Sequence, residues 1–118
     1  MTRYRVLVLL AFGALASTAA IVISSASGAA ATTYSIRAVD FGFRGMPARV
    51  TAGRVTFRIT NRGQASHDLK IAGKVTKLLS TGQSATVTVT LRKGRRYPYL
   101  CTVPGHATLG MKGTLTAK

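Results

Sequence analysis

The chain has no tryptophan and no glutamate, and Asp40 and Asp68 are its only acidic residues. So few carboxylates leave almost nothing for paired acid–base catalysis. A single cysteine, Cys101, excludes an intramolecular disulfide. In an exported protein a lone thiol is an intermolecular linker, a reactive group or a metal ligand, and protection as a ligand best suits an oxidising compartment. Neither a low-complexity tract nor an internal repeat occurs beyond the N-terminal region, and no segment there has a convincing helical period. The only long apolar stretch is Val6–Ile23.

That stretch follows Arg3 and Arg5 and leads to small residues at Ser27–Ala31. Residues 1–31 therefore read as a secretory signal with a basic start, an apolar centre and an Ala-x-Ala cleavage site. An uncleaved membrane anchor is the alternative, because 18 apolar-rich residues reach the lower limit for a span. Residues 32–118 then form one domain, exported to the periplasm, the cell surface or the medium. At 87 residues its core is thin, and a bound metal would help to hold it.

Charge is heavily one-sided. Seventeen Lys and Arg give a net charge of +15, which favours anionic partners: acidic redox proteins, anionic membrane headgroups or cell-wall phosphates. Export makes nucleic acid a poor candidate. A monomer is expected.

After the leader the pattern has period two. Val55, Phe57 and Ile59 alternate with polar neighbours, as do Ala85, Val87, Val89 and Leu91. Shorter strands are expected over 34–41, 67–71, 97–101 and 112–116, with Gly-containing turns between them. Pro98 suggests an edge strand or a bulge before Cys101. Six to eight short strands at this spacing imply an all-β sandwich or barrel.

The chemistry concentrates in Cys101-Thr-Val-Pro-Gly-His106-Ala-Thr-Leu-Gly-Met111. A thiolate, an imidazole and a thioether recur every five residues, on the expected loop between the last two strands. These soft donors suit copper and suit calcium, magnesium or manganese poorly. Zinc is also disfavoured, since methionine is a poor zinc ligand. His67, 34 residues before Cys101, opens a neighbouring strand and can return to the same end. Two histidines, a cysteine and a distant methionine form the ligand set of blue-copper electron-transfer sites. Pro104 and Gly105 shape a stiff loop, and a rigid ligand frame limits the rearrangement that accompanies a change of copper oxidation state. A Cys–His nucleophile would need an orienting acid and a pocket, so an enzyme is not expected.

Tyr97-Pro-Tyr-Leu-Cys-Thr-Val-Pro-Gly-His106 followed by Gly110-Met-Lys-Gly113 resembles the cupredoxins, the plastocyanin and azurin superfamily. Ala52–Phe57, Asn61-Arg-Gly63, His67-Asp-Leu69 and Thr81–Ala85 extend the resemblance over most of 34–117. It implies a Greek-key β-sandwich with one copper ion, cycling between Cu(I) and Cu(II), on His67, Cys101, His106 and Met111. It also implies that Ser66 and Asn61 support the ligands, with Ser66 bonding to the ligand loop. An electron port is implied at His106, with Pro104, Ala107 and Leu109 around it. The expected function is single-electron transport between redox partner proteins. A copper carrier or store without fast redox cycling is the first rival, and a metal-free interaction domain is the second.

Overall fold

A computed structural model describes residues 13–14, 19–22 and 30–118, so most of the expected leader lies outside the described residues. Nine strands follow in chain order: β1 Thr32–Val39, β2 Gly42–Arg44, β3 Arg49–Val50, β4 Gly53–Asn61, β5 Lys70–Ile71, β6 Lys74–Val75, β7 Ser84–Leu91, β8 Arg96–Leu100 and β9 Lys112–Ala117. They form a four-stranded sheet of order β2-β1-β4-β7 and a five-stranded sheet of order β3-β9-β8-β5-β6. Of the two all-β architectures that the alternation allows, the sandwich is the one present.

The sandwich follows from residues of one parity. Val55, Phe57 and Ile59 of β4 face inward with Val87, Val89 and Leu91 of β7 and Ile36 and Ala38 of β1. From the other sheet, Leu115, Ala117, Val50 and Ile71 close the same core. Burying these side chains contributes about 1.5–3 kcal/mol each for the large ones. Phe57, with no exposed surface, also stacks on Tyr34 at 6.0 Å.

Two pairings organise the ends. β1 runs parallel to β4, with Thr32 opposite Val55 and Ala38 opposite Asn61. Both strands therefore finish at the same end. β8 rises to that end and β9 returns from it, with Leu100 opposite Lys112. The metal-ligating candidates lie there.

Two strand expectations change. The segment 67–71 is a strand only at Lys70–Ile71; His67 makes an isolated bridge with Leu79 instead. Pro98 sits in β8, which has neighbours on both sides, so it is neither on an outer strand nor excluded from pairing. The reason is length: β5 ends opposite Tyr99, and at Pro98 the β5 side of β8 is locally unpaired, where a missing N–H costs nothing.

Candidate metal centre

β4 ends at Asn61, and the chain turns through 62–66 before presenting His67. Asn61 fixes that turn from inside. Its Nδ2 donates to the carbonyls of Ala65 and Leu79, both at 2.8 Å, and its Oδ1 accepts the Gly63 N–H. His67 and Leu79 exchange two backbone hydrogen bonds, of 3.0 and 2.8 Å. The imidazole is thus held on a pinned backbone and has no exposed surface.

Cys101 follows β8 directly and Met111 directly precedes β9. The Cys101 N–H donates to the Met111 carbonyl at 3.0 Å, drawing the two ends of the loop together. Between them the loop coils on itself. Leu109 N–H bonds to Gly105 and His106, Gly110 N–H to Ala107, and Met111 N–H to His106. Gly105 and Gly110 adopt left-handed backbone, φ 82° and 122°, which a side chain would oppose. Four residues on each side of His106 accommodate this coil and return the imidazole toward the sulfur.

Three donor atoms converge. His67 Nδ1 lies 3.1 Å from His106 Nδ1, and Cys101 Sγ lies 4.0 Å from the first and 3.7 Å from the second. All three fall within 4.8 Å of one another. Such separations suit atoms bonded to one ion at about 2.0–2.3 Å. Met111 is fully buried in the same core cluster as Cys101, and its backbone is bonded to both Cys101 and His106. This donor set fits copper.

The remaining polar groups orient the ligands. His67 Nε2 donates to Asp40 Oδ1 at 2.6 Å. That bond puts the ring proton on Nε2 and leaves Nδ1 free as a donor toward the metal position. Asp40 also accepts the N–H groups of Gln64 and Ala65. The Gln64 amide, with help from His67 and Ala65, holds its carboxyl below the usual value despite some desolvation. Asp68 accepts the Thr102 N–H at 2.7 Å and, at its other oxygen, the Thr102 hydroxyl. It thereby clasps the residue after Cys101 to the residue after His67. Burial pushes the Cys101 thiol up, against the N–H groups of Asp68 and Val103, which favour the thiolate.

The four sequence candidates His67, Cys101, His106 and Met111 thus gather at one end of the sandwich. Asn61 supports the ligand-bearing turn from within. The clasp expected of Ser66 is made instead by Asp68; Ser66 is half-buried beside His67 and takes no part in it. Around His106, itself half-buried, Pro104 and Leu109 are exposed and Ala107 is half-buried.

Two residues escaped sequence reasoning. Phe41 meets the His106 ring edge-on at 4.9 Å and remains 40% exposed beside the loop. Asp40 reaches His67 because β1 and β4 end together, a long-range register with no local signature. The only hint was that Asp40 is one of two acids in the chain.

The pattern of the copper-binding proteins of the plastocyanin/azurin family matches residues 29–118. Over 41 residues the chain is 49% identical to auracyanin-B of Chloroflexus aurantiacus, covering 35% of this chain and 17% of that protein. Over 46 residues it is 48% identical to azurin of Pseudomonas aeruginosa, covering 36% of this chain and 30% of azurin. The chain thus spans less than a third of the length of these curated relatives. Among solved structures, dithionite-reduced auracyanin from Roseiflexus castenholzii aligns with a TM-score of 0.63 at 24% identity, over 75% of this chain and 98% of that one. Auracyanin B aligns at 0.66 and 23%, over 75% and 89%. These two likenesses show the fold.

Proposed function

The chain belongs to the plastocyanin/azurin family of copper-binding proteins, and from that premise we propose that it is a type 1 copper protein carrying single electrons between redox partners outside the cytoplasm. The observation that carries this reading is the convergence of the two histidine Nδ1 atoms on the cysteine sulfur. His67, Cys101 and His106 would hold the ion as strong ligands, with Met111 as a weaker fourth donor. Bound copper supplies the one-electron Cu(I)/Cu(II) couple.

The surrounding residues keep the ligands still. Asp40 fixes the His67 ring, the Asp68–Thr102 clasp fixes the position after Cys101, and the Cys101–Met111 backbone bond closes the loop. A frame tied at so many points changes little when charge is added or removed, and a small rearrangement favours fast transfer. The exposed edge of His106 sits among Phe41, Leu109, Pro104 and Ala107. This apolar rim excludes water on contact and lets a partner approach the ligand closely.

Carriage rather than catalysis follows from the same inventory. Both carboxylates, both histidines and the one thiol are committed to the metal end, leaving no other acid–base pair. We assign residues 1–31 to an export leader or anchor and 32–118 to the copper domain, acting as a monomer. A net charge of +15 favours an acidic redox partner, with rates that fall as salt rises.

Adding Cu(II) to the purified protein tests the reading. An intense blue absorption that disappears in Cys101→Ser is expected. A pale complex, insensitive to that substitution, refutes a type 1 site and favours a carrier or store.

A further inference from the structure

No Lys or Arg among the described residues lies within ion-pairing distance of a carboxylate; the one such contact is His67 with Asp40. The two acidic side chains sit together at the metal end, while much of the positive charge gathers at the other. There the turn from β7 to β8 carries Arg92, Lys93, Arg95 and Arg96, all exposed. Three cations from other strands join them. Arg49 and Arg96 flank Thr116 in one row across β3, β9 and β8. Arg54 opens β4 opposite Thr90, and Lys118 follows β9, its N–H bonded to Val50.

The platform is built rather than loose. Arg92 N–H donates to the Tyr97 hydroxyl at 2.7 Å, Gly94 N–H to Ala117 and Ala117 N–H to Arg95. Seven cations are therefore fixed on one end, with no carboxylate side chain among them. Unrelieved repulsion of this kind is retained at a cost to the folded state, so it points to an anionic surface that offsets it.

A second observation selects the surface. Because β1 is parallel to β4 and Thr32 pairs with Val55, the chain before β1 leaves from this same cationic end. That preceding chain contains the apolar stretch Val6–Ile23. A hydrophobic segment and a polybasic platform at one end are the two signals that together hold a protein on a bilayer.

We propose that the end formed by the β7–β8 turn, Arg49, Arg54 and Lys118 docks on an anionic phospholipid membrane. Headgroup phosphates meet the cations, the N-terminal apolar segment, retained as the anchor rather than cleaved, enters the same bilayer, and the metal end faces away toward soluble partners. The two contributions differ in kind. The apolar one is indifferent to headgroup charge and salt, whereas the cationic one needs anionic lipid and fades as salt rises.

The test uses the copper-loaded full chain, with vesicles of phosphatidylcholine alone or mixed with phosphatidylglycerol. Binding should be stronger to the anionic vesicles at low salt and lose that preference at high salt. Replacing Arg92, Lys93 and Arg95 together by Gln should weaken anionic-vesicle binding by roughly 100-fold, at about fivefold per cation, while the blue absorption shows that the fold persists. A control set of equal charge loss, Arg37→Gln, Arg44→Gln and Arg58→Gln on the outer face of β1, β2 and β4, should weaken it far less. Reduction by a soluble small-molecule reagent should proceed equally fast on and off vesicles, as the metal end is free. The proposal is overturned if both triple variants lose binding equally, if lipid charge makes no difference, if soluble polyphosphate is bound as tightly as vesicles, or if vesicles block reduction.

Discussion

Gly63 lies where the turn after β4 passes the Asp40–His67 pair, and replacing it by alanine tests whether that packing holds the ligand. A Cβ there would overlap Asp40 Oδ1, and would sit 2.9 Å from Asp40 Cγ and 2.8 Å from His67 Nε2. The backbone cannot easily withdraw, because the Gly63 N–H is bonded to Asn61 and its carbonyl accepts the Thr81 hydroxyl at 2.6 Å. Overpacking of this kind costs about 1–3 kcal/mol, and three contacts under 3 Å on a pinned turn argue for the upper end. Alanine returns about 0.4–1 kcal/mol by restricting the unfolded chain. The net loss is about 2 kcal/mol, or a fall in Tm of about 8–16 °C for a domain of this size. Differential scanning calorimetry of the metal-free protein measures it. Gly42→Ala is the matched control, since its Cβ would meet only Val39 at 4.0 Å, and its Tm should hold or rise slightly. In an Asp40→Ala background the Gly63→Ala cost should shrink, because two of the three close atoms are gone. A Tm within about 3 °C of wild type for Gly63→Ala would refute the packing argument.

The remaining predictions concern the ligands' supports and the port. Asn61→Ala strands the Ala65 carbonyl and the Gly63 N–H, while the Leu79 carbonyl keeps the His67 N–H, and should destabilise the protein by about 3 kcal/mol in urea unfolding; a loss below about 1 kcal/mol would mean that the turn repacks. Asp40→Asn removes an anionic acceptor from His67 and with it some basicity at the opposite ring nitrogen, so Cu(II) should be held less well and the reduction potential should rise in voltammetry. An unchanged potential would leave Asp40 a purely structural role. Leu109→Asp places charge on the exposed rim beside His106 and should slow self-exchange while leaving the blue absorption intact; unaltered exchange moves the port elsewhere.

The sequence was most legible where pattern is local. Alternation in 55–59 and 85–91 located β4 and β7, because a sandwich buries every second residue and these strands are long enough to show it. Even spacing of Cys101, His106 and Met111 located the ligand loop for the same reason. β2, β3, β5 and β6, at two or three residues each, are too short to carry a period. Their pairing is decided by neighbours distant in sequence. His67 looked like the first residue of a strand; its position is set by a bridge to Leu79 and by Asn61, two partners that alternation does not encode. Asp40 and Phe41 were invisible because they reach the site only through the parallel register of β1 on β4. Ser66 and Asp68 flank the same histidine, and only backbone direction decides which of them faces Thr102.

The hydrogen bond from Cys101 to Met111 has an evolutionary implication. It closes the ligand loop at its base, and the coil above it is satisfied chiefly by its own backbone groups. Insertions, deletions or whole exchanges between these two residues would alter the metal's surroundings and the exposed rim beside His106 while leaving β8 and β9 in register. A lineage could thus explore new potentials and new partners by editing one short cassette, with the sandwich as an unchanging chassis.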